Sequence, residues 1–338
     1  ITPVTHSIPT LTANAINMIA AGNSLVVNPH PSGANCAAIA VETYNRAIFQ
    51  ETGIANLICL ITHPTLETAN KLFEHKGVKL LAITGGPMVA RAALAQKKRA
   101  IVAGPGNPPV VVDETANLEV AARSIITGAA FDNNLLCIGE KEVFVVDQVF
   151  DQMMSAMEQA RTQRAYRLNS AQIEALTKIA FEWHGDHYVV NKHLVGRDCD
   201  VLAKAIGLTL PPGQKIELLF GETNENNVFV SEEQMMPFVP FVRVPNVETA
   251  IEKALFYEHG FGHTAVIHSN NMNTITEMGR RANTTIFVAN GPSTGGLGLE
   301  GEGYLSYSIS TPTGEGITSP MTFARFRRMS ICGALRMA

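Results

Sequence analysis

The sequence predicts an α/β chain of two domains, each built on a parallel sheet. Three observations predict it. Short Val- and Ile-rich runs recur along the chain, separated by stretches with helical spacing, which is the pattern of βαβ units. Glycine-bearing turns follow several of those runs, as in NPHPSG (28–33), ITGGP (83–87) and AGPGNPP (103–109). A length of 338 residues suits two domains better than one.

The elements follow in order. A helix is expected over 11–21, then the strand SLVVNP, a helix over about 34–51, and the strand NLICLIT, whose Cys59 reads as core. THPTLETANKLFEHKG reads as helix, VKLLAIT as strand, PMVARAALAQ as helix and RAIVAG as strand. VVVDETANLEVAARSIITGAAFD joins a strand to a helix, and the two domains are expected to meet near 105–140. Beyond lie the strand KEVFVVDQ, helices at about 148–162 and 170–181, and a helix begun by the acids of DCDVLAKAIGL. The strand KIELLFGET precedes a second βα series of FVPFVRV, VETAIEKALFYEHG, TAVIHS, MNTITEMGRRA and TTIFVAN. The tail from Gly291 is glycine-rich loop, and FRRMSICGALRMA reads as a late strand.

Composition excludes several classes. Apolar residues make up 46% and charged residues 17%, so a large core is available and disorder is not expected. The net charge of −4 and the lack of a basic stripe argue against nucleic acid. No apolar run is long enough to span a bilayer. The five cysteines are odd in number, widely spaced and without a CxxC pair, which fits a reducing compartment and no structural zinc. HGDH (184–187) and HGFGH (259–263) lack HExxH spacing, so no metal site is expected. The acids of SEEQMM, Glu232 and Glu233, read by themselves as a solvated turn. The chain opens on Ile1 with neither an initiator Met nor a signal-peptide pattern, as the interior of a longer protein would.

Taken singly, the motifs are ambiguous. Thr84, Gly85 and Gly86 sit between a strand and a helix, where backbone approaches a phosphate or ribose, yet a structural turn looks the same. Cys137 in FDNNLLCIGE has the ordinary reading of a small buried hydrophobe. Its irregular, glycine-bearing surroundings at a domain junction argue for a reactive thiol but do not by themselves reverse that reading.

In order and in spacing, these pieces resemble the aldehyde dehydrogenase superfamily over nearly the whole chain. IPTLTANAINMIAAGNSLVVNPHPSG resembles the opening of that family's cofactor domain, and ITGGPMVAR its FTGS segment. AGPGNPPVVVDETANLEVAARSIITGAAFDNNLLCIGEKEVFV resembles its strand, turn, helix and nucleophile loop, and SEEQMMPFVPFVRV its EEIFGPV segment. The resemblance implies an aldehyde dehydrogenase-like fold. A Rossmann-type parallel-sheet cofactor domain would span 1–106, an α/β catalytic domain 107–308, and a return segment with an oligomerisation strand 309–338. It implies Cys137 as nucleophile and His6 as a donor to the oxyanion. It implies a cofactor site made by Thr5, Asn28, His30, Pro31, Thr84, Gly85, Gly86, Val89 and Gly104, with Glu233 on the nicotinamide ribose.

The departures from the family pattern refine this. Hydrolytic members carry a water-activating glutamate in an ELGGK motif, where this chain has Ala103. The nucleophile loop reads NNLLC instead of GQxC. Both features resemble the CoA-acylating branch, the propionaldehyde and acetaldehyde dehydrogenases of bacterial microcompartments. The implied cofactor is NAD, with coenzyme A as cosubstrate and a short aldehyde as substrate. The implied setting is the bacterial cytoplasm, in a microcompartment lumen, with shell or lumen proteins as partners and a homo-oligomer, dimer or tetramer, as the full-length protein. The competing readings are a dehydrogenase releasing a carboxylic acid, a phosphate-dependent reductase of the same fold, and an inactive scaffold subunit.

Overall fold

The computed structural model describes residues 1–160, 164–299 and 301–333. Helix α1 (Ser7–Ala20) starts earlier than the apolar pattern suggested, directly after His6. Strand β1 (Leu25–Val27), helix α2 (Ala34–Thr52), strand β2 (Ile58–Leu60), helix α3 (Leu66–Glu74), strand β3 (Leu80–Thr84), helix α4 (Pro87–Leu94) and strand β4 (Arg99–Ala103) alternate as expected. α2 stops because Gly53 takes a left-handed conformation (φ 70°) that L side chains rarely adopt. α3 starts at a reciprocal cap in which Thr65 and Thr68 each satisfy the other's backbone N–H.

β1 pairs with β2 and β3 with β4, all parallel. Residues 1–2 lie between the two pairs. Ile1 N donates to Ala82 O, Thr84 N donates to Ile1 O, and His30 N donates to Thr2 O. The order is therefore β2-β1-(1–2)-β3-β4. β2 is the edge strand, and its period-2 alternation turns Ile58 inward and Cys59 outward. Cys59 is accordingly exposed, which corrects the expectation that it belongs to the core.

A seven-stranded, fully parallel sheet follows. Strand β5 (Pro109–Val112), helix α5 (Leu118–Ala130), strand β6 (Glu142–Val146), helix α6 (Asp147–Gln159) and strand β7 (Ala165–Arg167) begin it. Helix α7 (Ser170–Ala180), an antiparallel hairpin of β8 (Phe181–Trp183) and β9 (Tyr188–Val190), and helix α8 (Cys199–Ala205) lie outside the sheet. Strand β10 (Leu218–Thr223), helix α9 (Val228–Ser231), strand β11 (Phe238–Val244), helix α10 (Val247–Tyr257), strand β12 (Thr264–His268), helix α11 (Met272–Ala282) and strand β13 (Ile286–Ala289) complete it. The spatial order is β13-β12-β5-β6-β11-β10-β7. Both faces of the sheet are covered, one by α5 and α6 and the other by α10 and α11, which is why its strands read as unbroken apolar runs.

The return segment forms β14 (Ile309–Ser310) and β15 (Gly316–Ile317), an antiparallel pair lying against β4. Val102 N donates to Thr313 Oγ1, and Arg99 donates to the carbonyls of Thr322 and Ala324. The late strand expected over 326–338 is not formed in 326–333, and the last five residues lie outside the described ones. Phe326, Met329 and Ile331 stand exposed, because a strand exists only where another strand satisfies its N–H and C=O groups.

One close contact fixes the loop that follows α5 to that helix. A Cβ on Gly128 would fall 2.0 Å from Glu140 Oε2, inside the helix–loop interface. Gly128→Ala should therefore cost about 1–3 kcal/mol, read as a lower denaturation midpoint. A midpoint equal to that of the parent protein would show that the loop does not pack there.

Candidate active site

β4 ends at Ala103 and β5 starts at Pro109, so the short connector 104–108 joins the carboxyl edge of the first sheet to the amino edge of the second. The expected cofactor residues follow the carboxyl ends of the first sheet, the edge at which open α/β sheets hold ligands. Asn28, His30 and Pro31 follow β1, Thr84 to Gly86 follow β3, and Gly104 follows β4. Thr5 lies in the turn just before His6, and Val89 packs on α4 against the core between β3 and β4.

Asn28 is buried and accepts a hydrogen bond from Thr68 Oγ1 at 2.6 Å. His30 Nδ1 accepts from Ser32 N and so shapes the turn. Thr84 Oγ1 is hydrogen-bonded to Ser308 Oγ at 2.7 Å, which ties this edge to the chain just before the return segment. A Cβ at Gly86 would meet nothing within 4 Å, and α4 begins there without a side-chain cap. Open backbone ahead of uncapped helical N–H groups is what a dinucleotide phosphate or ribose requires, so these residues fit NAD.

The loop that carries Cys137 lies on the opposing edge. α5, capped by Asn117, ends at a run of left-handed residues: Asp132 (φ 50°), Asn133 (φ 52°) and Asn134 (φ 60°). Asn and Asp tolerate this region better than other L residues, at a cost on the order of 1 kcal/mol each. Asn133 Nδ2 anchors the run to Gly196 O and Asp198 Oδ1. Cys137 is partly buried, packed with Leu136, Ile138, Leu297 and Ile309. Burial and then Glu233 push its thiol up to about 12, opposed by Lys141 and by its own backbone N–H.

The structure brings Glu233 to this loop, 3.8 Å from Lys141 Nζ. It places His6 at the head of the loop, with Nε2 3.2 Å from Asp132 Oδ2 and the ring 5.8 Å from that of Tyr307. Burial holds the His6 pKa below its ordinary value despite Asp132. His6 is thus paired with the start of the loop, and no hydrogen bond joins it to Cys137 among the described residues.

Two further residues were missed in the sequence. Lys141 is fully buried, donates to Asn134 O at 2.7 Å and to Asn134 Oδ1, and has its pKa lowered by burial. Its signal was the charged run GEKE placed directly before an apolar strand, where unpaired charge is not tolerated. His263, set aside with the metal candidates, lies against the connector. A Cβ at Gly106 would be 2.7 Å from Cys137 O and 3.0 Å from the His263 ring. His263 Nδ1 contacts Thr264 Oγ1, while Nε2 has no partner. Among the described residues no cluster of His, Cys, Asp and Glu could hold a metal ion, and no helix is long and apolar enough to cross a membrane.

The sequence profile of the aldehyde dehydrogenase family matches residues 1–304. The chain belongs to that family. It is 45% identical over 340 residues to the acetaldehyde dehydrogenase (acetylating) EutE of Salmonella typhimurium, covering 100% of this chain and 72% of that protein. It is similar to the crystal structure of Rhodopseudomonas palustris propionaldehyde dehydrogenase with bound CoA and an acylated cysteine, with a TM-score of 0.91 and 39% identity over 96% of this chain and 72% of that one. It is also similar to a propionaldehyde dehydrogenase from the Clostridium phytofermentans fucose utilisation bacterial microcompartment, with a TM-score of 0.92 and 38% identity over 98% and 76% of the two chains. A cavity of about 720 Å³ lies at the far, carboxyl edge of β10 and β11, lined by Ser170, Lys178, Glu222 and Arg243 among others. It contains none of the residues expected for this family's chemistry.

Burial pushes His263 and His268 down to about 4, so both rings are neutral in the fold. Each adds stability that is complete above the ordinary value of about 6.5 and is lost as the pH falls toward 4, worth about 3 kcal/mol apiece. In nitrogen NMR of the folded protein at pH 5.5, these two of the ten histidines should remain neutral, assigned through His263→Gln and His268→Gln. Protonation of either near pH 6.5 would contradict the burial described.

Proposed function

We propose that the chain is a CoA-acylating aldehyde dehydrogenase, oxidising propionaldehyde or acetaldehyde to the acyl-CoA with NAD. One observation carries the reading: the water-activating glutamate of hydrolytic members is missing, and among the described residues the carboxylates near Cys137 are engaged by other groups or sealed in the core. Ala103, 7% exposed at the end of β4, presents a methyl group where hydrolytic members place a glutamate. Glu140 accepts from Ser293 N and Oγ, Glu258 accepts from His263 N, and Glu233 pairs with Lys141. Glu142 is sealed at the start of β6, where burial holds its carboxyl well above the usual range. A thiol acceptor needs no such base. The relatives named above support the same chemistry.

In this reading Cys137 sulfur attacks the aldehyde carbonyl, and the oxyanion is held by the Cys137 backbone N–H. An oxyanion donor of this kind is worth about 3 kcal/mol. His6 is carried over as a second donor. It reaches the site through the loop head at Asp132, so its part is to fix the loop as well as to donate. When bound, NAD accepts the hydride, which leaves an acyl thioester on Cys137. Thr84, Gly85, Gly86 and Glu233 would hold that cofactor, with Thr5, Asn28, His30, Pro31, Val89 and Gly104 around it. The thiol of CoA then displaces Cys137, and His263 Nε2 is a neutral acceptor available to its S–H.

We divide the chain accordingly. Residues 1–106 bind the cofactor, 107–308 carry the nucleophile, and 309–338 return to the first sheet. The exposed apolar side chains of 326–331 support pairing with a second copy, in a dimer or tetramer. The relative from a bacterial microcompartment supports a place in such a lumen, in the bacterial cytoplasm, beside shell or lumen proteins.

With propionaldehyde and NAD, NADH formation should require CoA and yield propionyl-CoA by mass spectrometry. Release of free propionate at an unchanged rate without CoA would overturn the acylating reading. Cys137→Ala should abolish turnover, and full activity in that variant would remove Cys137 from the mechanism. His263→Ala should slow the CoA-dependent half-reaction by about 10²-fold and leave the single-turnover burst of NADH in place.

A further inference from the structure

We propose that Lys141 is the countercharge of the Cys137 thiolate and that Glu233 competes with the thiolate for it. The proposal rests on the reading of Cys137 as nucleophile and adds what governs its ionisation.

The loop is built to set both residues on one connector. Gly139 N donates to Leu136 O, which folds 137–141 back on itself. Lys141 N donates to Pro108 O at 3.0 Å, and Cys137 O abuts Gly106. Both ends of the loop are thus pinned on the same connector. Lys141 Nζ is then fixed by Asn134 O and Oδ1, with Glu233 Oε1 at 3.8 Å.

A buried ammonium needs an anion. The charged and titratable groups around it come from several elements. On its own loop Glu140 is satisfied by Ser293 and pushed up to about 7 by burial, and burial holds the Glu142 carboxyl well above its usual range. From the start of β12 His263 is neutral, and from the start of α1 His6 is depressed by burial and faces Asp132. Glu258, at the end of α10, is engaged by the backbone of the 260–263 turn. That leaves Glu233, whose carboxyl is held up by burial and drawn down by Lys141, and the sulfur of Cys137. Either can be the partner of Lys141. With Glu233 in that place, the thiol stays protonated. Withdrawing the charge of Glu233 acts twice in one direction, since it removes a like charge from the thiolate and releases the ammonium to it.

The test reads the thiol alone. Iodoacetamide modification of the peptide containing Cys137 would be followed by mass spectrometry from pH 6 to 10, in the full chain without aldehyde, NAD or CoA. Cys36, Cys59 and Cys332 are exposed and are resolved as separate peptides. Glu233→Gln should speed modification of Cys137 by about tenfold at pH 8, and Lys141→Met should slow it. The double variant should lose most of the gain. A Glu233→Gln rate equal to or below the parent's would overturn the proposal, as would a full gain in the double variant, which would leave simple repulsion as the cause. If Lys141→Met does not fold, Glu233→Gln still decides, because the amide preserves the shape of a partly exposed side chain. The alkylation needs no turnover, so its failure is separate from failure of the CoA assay.

Discussion

A lysine without solvent exposure sets the terms for this site. An ammonium taken out of water loses several kcal/mol unless oxygen atoms replace the hydration. Lys141 finds those oxygens on Asn134, through both its carbonyl and its side-chain amide. To present both at once, the chain from Asp132 to Asn134 turns left-handed. Only a few residue types enter that region at modest cost, and DNN supplies three of them in a row. The odd look of FDNNLLC is therefore a consequence of Lys141, and the position of Cys137 is a consequence of the turn.

The two sheets add the second constraint. Parallel strands point all their carboxyl ends one way, and the connector 104–108 is too short to do more than pass from one edge to the next. The edge after β1, β3 and β4 therefore belongs to the same neighbourhood as the edge before β5, β6 and β12. Gly106 is the narrow point. With no side chain it lets the carbonyl of Cys137 and the ring of His263 meet across the connector. Gly128 plays the matching part under Glu140, where α5 touches the loop. The site is held by backbone approach at two glycines and by buried charge between them.

The fold was legible where local pattern and burial agree. The β5, β6, β11 and β12 runs are covered on both faces, and runs such as VVV and FVPFVRV can be little else. Cys59 was misread because NLICLIT resembles those runs, whereas β2 is an edge strand with one face in water. The 326–333 segment has the composition of a strand, and composition carries no information about whether a partner strand is present. At the site, Cys137, Glu233 and the Thr84 turn were proposed from the order of motifs along the chain. Lys141 and His263 were not, because their roles come from register: β6 and β12 start beside β5, and only that pairing sets their side chains around one connector.

The arrangement of charge also explains why the loss at position 103 is tolerable. Replacing a general base by a methyl group would stall an enzyme whose second step is hydrolysis. Here the described acids near Cys137 are engaged by other groups or sealed in the core, which argues that none has taken over that duty. The same conditions suit a thioester that must outlive the interval before a second substrate arrives, since water is reactive only when something removes its proton. A thiol acceptor ionises far more readily than water and brings its own nucleophilicity. The site is therefore selective by omission. It excludes hydrolysis by committing its carboxylates elsewhere, Glu140 to Ser293, Glu258 to the 260–263 turn and Glu233 to Lys141.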